Sequence, residues 1–253
     1  MARFSIVTLC RNSASTIEQC IRSVGDQRGV DVEHIVVDGH STDGTLELVE
    51  RNPHDRRIVL TGADKGIADA FNRGLARATG DVVGFLNSDD WYASPEVLAT
   101  VQRHLRGDRT VVCGAIELHS AGALPRRLES DPSRLRSGMY VRHPAMFAPA
   151  ALMRTVGGFD TRYRIAMDYD HTTRMRLAGA EFVVIGETLT CMRTGGASSD
   201  VSRMLLEELE IKNRHYGRGP RNYLHFAHSH AVLKARSVLR KIGDHRMHRR
   251  AGS

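Results

Sequence analysis

Cysteine is scarce in this chain of 253 residues, and its spacing lacks any pairing pattern. No Cys-x-x-Cys pair or nearby metal-ligand spacing occurs among the four cysteines, which are Cys10, Cys20, Cys113 and Cys191. A disulfide framework or a structural zinc site is therefore not expected from the spacing, and the reducing cytoplasm is the predicted location.

Long apolar runs are also absent. No segment approaches the roughly 18–20 apolar residues that cross a bilayer. The strand-like run Phe4–Leu9 begins almost at once, without the basic, apolar and small-residue order of a signal peptide. We therefore expect neither a transmembrane helix nor a secretory leader.

The composition is otherwise that of a globular protein, with 41% hydrophobic and 26% charged residues. The net charge of +7 is unevenly distributed, because the segment from Lys212 onward holds eleven lysines and arginines against the single acidic residue Asp244. The basic character therefore belongs to a C-terminal appendage. The sequence predicts a main domain over 1–200 and a basic helical extension over 201–253.

Apolar strands alternate with amphipathic helices in the first part of the chain. Strands are predicted at 4–9, 32–38, 57–61 and 81–86, and helices at 15–24, 45–51 and 67–78. This alternation predicts an α/β fold with a Rossmann-like, mostly parallel sheet flanked by helices. Further along, the pattern predicts helices at 95–105, 168–177 and 201–213, strands at 111–116 and 181–185, a mobile loop at 120–138 and a flexible hinge at 194–199.

Acidic residues follow three of the predicted strands. Asp38 ends the second strand, the loop with Asp64 follows the third, and Asp89-Asp90 follows the fourth. Ligands of open parallel sheets bind beyond the carboxyl ends of the strands. The sequence therefore predicts a site at one acidic edge of the sheet.

The segment Asn87-Ser88-Asp89-Asp90 carries two adjacent carboxylates. Their repulsion is relieved by a positive partner, and Mg²⁺ or Mn²⁺ bound by carboxylates and substrate phosphates is the usual one. The alternative is a solvated turn with an aspartate that caps a helix.

The other acidic segments leave similar choices open. Asp38 is placed to bind a nucleobase or ribose, or it forms an ordinary Asx turn. Asp64-Lys65-Gly66 precedes a helix whose N-terminal N–H groups can approach a nucleotide, whereas Lys65 alone is equally consistent with a solvated lysine. Asp168-Tyr169-Asp170 begins a helix, so its carboxylates are either caps or a general base with an orienting partner.

Several of these segments, in order, resemble the family-2 glycosyltransferases of the GT-A fold. The segments that carry the resemblance are Phe4–Leu9 with Arg11-Asn12, 36–45 (VVDGHSTDGT), 64–74 (DKGIADAFNRG), 85–90 (FLNSDD), His143-Pro144, 157–160 (GGFD), Asp168-Tyr169-Asp170 and 195–198 (GGAS). The resemblance covers about residues 3–200. The Gln-x-x-Arg-Trp motif of processive synthases is missing, which favours transfer of a single sugar.

The resemblance implies a role for each matching position. Asp89 and Asp90 would hold the divalent metal, Mn²⁺ or Mg²⁺, with Asp89 as the central ligand. Asp168 would be the catalytic base, with Asp170 as the alternative because Met167 stands where relatives often have glutamate. The nucleotide-diphospho-sugar would be bound by Thr8, Arg11, Asp38, Gly39, Asp64, Lys65, Gly66, Asn72, Asn87, Ser88 and Asp89.

The implied reaction is an inverting displacement that moves one sugar to a carbohydrate, lipid-linked or small-molecule hydroxyl. A nucleotidyltransferase is the alternative enzyme, although residues 10–13 (CRNS) are not the glycine-rich loop it would carry. The alternative that is not an enzyme is a scaffold without catalytic activity, which binds a sugar nucleotide or associates with a membrane.

The C-terminal segment has its own two interpretations. Residues 223–242 have the spacing of a basic amphipathic helix, which either lies on an anionic membrane surface or packs on the catalytic domain. Nucleic-acid binding is not expected, because stacking aromatics are few and no recognition motif occurs.

Overall fold

The computed structural model describes residues 2–194 and 200–232. The chain divides into two compact units, Met1–Gly196 and Ala197–Ser253. Most of the predicted hinge, residues 195–199, and the part of the predicted basic helix beyond residue 232 lie outside the described residues. The division after residue 200 stays a prediction. Across the described ranges, no helix combines the length and the apolar character needed to cross a bilayer.

The first half of the larger unit confirms the predicted α/β alternation. Its elements are β1 (Arg3–Cys10), α1 (Ile17–Gly25), β2 (Asp31–Asp38), α2 (Thr45–Arg51), β3 (Arg57–Thr61), α3 (Ile67–Arg77) and β4 (Val82–Phe85). The four strands lie in the order β3-β2-β1-β4 and all pair in parallel. Their carboxyl ends, and the loops that follow them, therefore meet at one edge of the sheet.

The second half adds strands of both directions. Its elements are β5 (Asp90–Tyr92), α4 (Val97–His104), β6 (Thr110–His119), β7 (Arg126–Leu128), β8 (Met146–Pro149), α5 (Ala150–Val156), α6 (Met167–Leu177) and β9 (Glu181–Arg193). The sheet continues through β8, β6 and β9 to β5, with β7 on β6. Only β6 and β9 pair in parallel here. The parallel arrangement therefore holds for β1–β4, and the rest of the sheet is mixed.

Two predictions in this second half are wrong. The loop expected over 120–138 contains β7 and a 3₁₀ turn, Pro132–Ser137, whose N-terminus is capped by Asp131 accepting from Ser133 N at 3.1 Å. The strand expected to end at Ile185 continues to Arg193, pairing with β6 through a register shift. Both segments are ordered by pairing of their backbones with β6. The apolar pattern within each segment does not indicate this pairing.

The smaller unit is helical where it is described. Helix α7 (Val201–Tyr216) begins with Asp200 as its cap, which accepts from Arg203 N at 3.0 Å. Residues 220–232 are also helical. The Lys212 ammonium contacts Glu208 at 3.0 Å, one turn earlier on the same helix. The amphipathic helix predicted to begin at residue 223 is thus described only in part.

A buried carboxylate holds the amino end of β4 beside β1 and β2. Glu33, in the middle of β2, accepts hydrogen bonds from the Ser5 hydroxyl, from Thr79 N and Oγ1 at 2.5 and 2.7 Å, and from Gly80 N at 3.0 Å. Burial raises the pKa of Glu33, but these hydrogen bonds outweigh burial and leave the pKa below its ordinary value. The charged form therefore stabilises the fold.

We expect Glu33→Gln to lower the free energy of unfolding by about 1–3 kcal/mol at pH 7, because an amide cannot accept all these hydrogen bonds. A lowered carboxylate pKa gives stability that is present above the unfolded pKa, about 4.3, and is lost as the pH falls through the folded value. Thermal unfolding of both proteins across pH 3–7 tests this. The difference in Tm between wild type and Glu33→Gln should become smaller as the pH falls. The exposed control Glu181→Gln should have nearly the Tm of wild type at every pH. A difference for Glu33→Gln that does not change with pH would contradict the assignment.

Candidate active site

The loops after β1 and β2 are hydrogen-bonded into one surface. Asn12 N donates to the Ser41 hydroxyl at 2.8 Å, Thr42 N donates to Asn12 Oδ1 at 2.9 Å, and Ala14 N donates to Asp43 at 2.9 Å. Asn12 has a φ of 50°, a left-handed conformation that asparagine adopts more readily than most residues. The edge where a ligand would bind is therefore held by cross-links between two loops.

Asp38 lies at the centre of this surface, at the end of β2. Its side chain is buried and accepts from Ser41 N at 3.1 Å, while the Cys10 thiol lies 3.6 Å from its Oδ1. The Asx-type turn that the sequence left open is therefore present. The turn fixes the carboxylate beside the cross-linked loops.

Gly39 brings the loop after β3 against the loops after β1 and β2. A Cβ atom at Gly39 would lie 2.8 Å from Asp64 Oδ2 and 3.4 Å from Arg11 Cδ. Any larger side chain would displace one of these two neighbours. Arg11, Gly39 and Asp64, which the sequence placed far apart, thus meet at one point.

The Asp64 loop is itself preorganised at the start of α3. Asp64 Oδ1 accepts from Gly66 N at 2.9 Å, and Lys65 N donates to Asp69 at 3.1 Å. Gly66 precedes the helix with a φ of 120°, a conformation that side-chain-bearing residues rarely adopt. Lys65 is exposed, so its ammonium is available at this edge.

The acidic turn after β4 joins the same edge through Ser13. Ser88 N donates to Leu9 O at 3.1 Å, and the hydroxyls of Ser88 and Ser13 lie 2.8 Å apart. Ser13 N in turn donates to Thr45 Oγ1 at 2.8 Å, at the start of α2. Ser13 is not among the predicted site residues, because its only signal in the sequence is its position in a loop after a strand.

The structure separates the two adjacent carboxylates of this turn. Asp89 is half-buried, whereas Asp90 is 1% exposed and neither of its oxygens has a hydrogen-bond partner of normal geometry. Burial raises the pKa of Asp90 well above its ordinary value, Asp89 raises it further, and weak hydrogen bonds from Arg193 and Asn87 oppose both. Asp89 and Asp90 thus lie in different environments, and the more exposed Asp89 is the residue that the sequence predicted as the central ligand.

A divalent cation fits this turn chemically. The donors are carboxylate oxygens, which Mg²⁺ and Mn²⁺ prefer, and the acceptors of Asp90 directly behind Asp89 are unmet. A cation in front of Asp89 would compensate both carboxylates.

Asp168 and Asp170 have different environments at the start of α6. Asp168 is half-buried, and its Oδ1 accepts from Tyr169 N at 2.7 Å. Asp170 is fully buried and accepts from Arg174 Nε at 2.8 Å, and Arg174 also donates to Gly158 O at 2.7 Å. Asp170 is therefore engaged in positioning Arg174, which favours Asp168 as the group that meets a substrate.

A cluster of rings fixes α6 beside the carboxyl end of β4. Phe159 contacts His171 of α6 at 4.4 Å between ring centroids and Phe85 of β4 at 5.0 Å, while His143 stacks on Phe85 at 5.3 Å. Burial lowers the pKa of His143 to about 4, so this histidine is a neutral member of the cluster. Because Phe85 lies two residues before Asn87, the cluster ties the Asp168 helix to the acidic turn.

Two predicted ligand-binding residues, Thr8 and Asn72, make hydrogen bonds within the protein, and their binding role stays a prediction. Thr8 is fully buried, with its hydroxyl 2.9 Å from His34 Nε2. The Asn72 amide donates to Phe159 O at 2.8 Å and accepts from Phe159 N at 2.7 Å. The Thr8 side chain is fully buried, and the Phe159 backbone occupies one donor and one acceptor of the Asn72 amide, so both residues have structural contacts that the sequence did not predict.

The arrangement of strand-end loops and acidic residues defines a glycosyltransferase of the GT-A fold. The profile described as "Glycosyl transferase family 2" matches residues 5–178, and the chain therefore belongs to that family. The α/β fold class is confirmed, and the nucleotidyltransferase alternative is set aside.

Named relatives agree with the family. A "PGL/p-HBAD biosynthesis glycosyltransferase" of Mycobacterium bovis is 32% identical over 181 residues, which are 68% of each chain. An uncharacterised glycosyltransferase of Mycobacterium tuberculosis is 30% identical over 246 residues, 92% of this chain and 90% of the relative.

Solved structures show the same fold. Residues 1–349 of TarS of S. aureus in complex with UDP-GlcNAc superpose with a TM-score of 0.69 at 20% identity, over 89% of this chain and 71% of that fragment. The mannosyltransferase PcManGT of Pyrobaculum calidifontis, in complex with GDP-Man and Mn²⁺, gives 0.66 at 20% identity, over 92% of this chain and 70% of PcManGT.

Proposed function

We propose that this glycosyltransferase moves one sugar from a nucleotide-diphospho-sugar to an acceptor hydroxyl with inversion at the anomeric carbon. The observation that carries the proposal is the meeting of Arg11, Gly39 and Asp64 at the edge where Asp38 and the acidic turn also end. The UDP-GlcNAc and GDP-Man complexes of the structural neighbours support a donor of this class.

The nucleotide is proposed to bind across the loops after β2 and β3. The turn that the buried Asp38 carboxylate fixes, with Gly39 next to it, would face the base and ribose, with Arg11 and Asp64 beside it. Lys65 and Gly66 lie at the N-terminus of α3, where backbone N–H groups and the helix dipole favour a negatively charged ligand. Asn87 and Ser88 would line the path from the ribose to the diphosphate.

Asp89 is proposed as the residue that holds the divalent cation, with Asp90 as the buried carboxylate behind it. When bound, Mn²⁺ or Mg²⁺ supplies Lewis-acid stabilisation of the charge that develops on the departing diphosphate. The Mn²⁺ in the PcManGT complex supports a metal of this kind.

Asp168 is proposed as the general base that takes the proton of the acceptor hydroxyl. Asp170, engaged with Arg174, is unavailable as a second reacting carboxylate. Retention by double displacement needs a nucleophile besides the acid–base group. A single reacting carboxylate therefore supports one displacement, and hence inversion.

The acceptor class is proposed more broadly, as a carbohydrate, a lipid-linked sugar or a small-molecule hydroxyl in cell-surface polysaccharide, glycolipid or glycoside biosynthesis. The relative named as a PGL/p-HBAD biosynthesis glycosyltransferase supports a biosynthetic role of this kind. We propose a cytoplasmic site of action, with peripheral contact of the basic C-terminal segment to the inner face of the cell membrane.

A donor screen tests the proposal. We expect the full chain with Mn²⁺ to release free nucleoside diphosphate from at least one member of a panel of UDP-, GDP- and dTDP-sugars, because water can slowly replace the acceptor. Release should depend on the metal, and Asp89→Ala should lack it. Donor binding by calorimetry without any turnover would instead indicate a silent scaffold, and release of pyrophosphate would contradict sugar transfer.

A further inference from the structure

Three side chains that can bind a metal share one face of the mixed half of the sheet. Glu117 and His119 lie two residues apart on β6, and Cys191 of β9 is the register partner of Glu117. The intervening Leu118 and Met192 pack against the hydrophobic core on the other face. Strand alternation therefore directs the carboxylate, the imidazole and the thiol to the same side.

Their ligand atoms are close enough for one ion. Glu117 Oε1 lies 2.8 Å from His119 Nε2, and one ligand atom from each of the three residues lies within 4.8 Å of the others. Around a tetrahedral Zn²⁺, with bonds of about 2.0–2.3 Å, ligand atoms are separated by about 3–4 Å. Small side-chain rotations would bring the three to this separation without moving the strands.

We propose that Glu117, His119 and Cys191 bind a thiolate-preferring divalent cation of the Zn²⁺ class, at a site chemically distinct from Asp89. A sulfur, nitrogen and oxygen donor set suits Zn²⁺, whereas Mg²⁺ and Mn²⁺ prefer oxygen donors only. The thiolate and carboxylate would neutralise the two charges of the ion. This inference does not rest on the proposed sugar transfer.

The site is accessible from one side and supported on the other. The side chains of His119 and Glu117 are 32% and 35% exposed, whereas the His119 Nε2 atom and Cys191 are buried, so an ion would enter past the exposed parts of these two side chains and keep a water as its fourth ligand. Trp91 packs on His119 at 4.9 Å between ring centroids, and the Arg193 guanidinium lies 4.9 Å from the centroid of the Trp91 ring. This stack restricts the orientation of the imidazole.

A bound ion would connect two strands of the sheet. It would join β6 to β9, and β9 also pairs with β5, where Trp91 is opposite Cys191. Because β5 begins at Asp90, the ion would lie beside the strand that carries the end of the acidic turn. Since the three ligands come together only in the folded protein, binding of the ion is expected to raise Tm.

Cobalt substitution in the full chain tests the site. We expect Co²⁺ to produce the thiolate-to-cobalt charge-transfer band of a tetrahedral site, and Zn²⁺ to abolish it by displacement. Cys191→Ser should remove the band. His119→Gln and Glu117→Gln should each weaken cobalt binding at least tenfold, since even groups that only support ligands cost about 10–100-fold.

Matched controls separate this site from other sources of binding. Cys113→Ser, which removes another buried cysteine, and Asp89→Asn, which alters the acidic turn, should both keep the band. Histidines of the C-terminal segment cannot produce it, because the band requires sulfur. No band in the wild type, or a band that survives Cys191→Ser, would overturn the proposal. If Cys191→Ser does not fold, the partly exposed His119 and Glu117 variants decide, and unchanged cobalt affinity in both overturns it.

Discussion

Replacing Asp168 with asparagine is expected to lower kcat by about 10²–10⁴-fold, the usual contribution of a positioned general base. The amide keeps the size of the side chain but cannot take the acceptor proton. Donor binding should be unchanged, because the proposed nucleotide contacts lie on the loops after β2 and β3. Steady-state transfer kinetics and donor calorimetry on the same protein measure both effects.

Two further variants make the test of Asp168 specific. Asp170→Asn should mainly lower Tm, because it weakens a buried ion pair with Arg174. Asp108→Asn, an exposed aspartate in the turn before β6, should leave both quantities unchanged. If Asp170→Asn remained folded and lost more turnover than Asp168→Asn, the two roles would have to be exchanged.

Replacing Asp89 with alanine is expected to abolish metal-dependent transfer. Lewis-acid stabilisation of a leaving diphosphate is worth several kcal/mol, which corresponds to roughly 10²–10⁴-fold in rate. The loss should appear as a rate that no longer responds to Mn²⁺ concentration. Initial rates across a Mn²⁺ titration, in wild type and variant, measure it directly.

A control variant and two possible results decide whether Asp89 holds the metal. Asp26→Ala, at the exposed end of α1, is the matched control and should retain the full Mn²⁺ response. Turnover that is unchanged in Asp89→Ala would remove the metal assignment from this turn. Turnover that is lost but still rises with Mn²⁺ would place the ion on other ligands.

The sequence predicted the first half of the fold well because its helices have one buried and one solvent-facing side, and because β1, β2 and β4 are largely apolar runs that are buried on both faces. In α1, for example, Ile17, Cys20, Ile21 and Val24 are buried at helical spacing. In the second half, pairing partners decide the structure. β7 carries exposed arginines and exists because it pairs with β6, and no pattern within residues 126–128 indicates that partner.

The sequence predicts which acidic residues lie at the candidate site. It predicts less well how buried each of them is and what each contacts. Asp38, Asp64 and Asp89 follow strands whose ends must meet in a parallel sheet, so their convergence followed from topology. The different burial of Asp89 and Asp90 depends on how β5 pairs with β9, which one sequence does not reveal. Thr8 and Asn72 lay in matching motifs, yet their side chains bind His34 and the Phe159 backbone.

The clasp between Asn72 and Phe159 links positions 87 residues apart. An aspartate at position 72 could accept from the Phe159 amide but would set a carboxylate against the Phe159 carbonyl, and a side chain at Gly158 would push into the same amide. Positions 72 and 158 are consequently coupled, so neither can change freely while the other stays. The packing of the segment before α6 against α3 thus depends on two uncharged residues, Asn72 and Gly158.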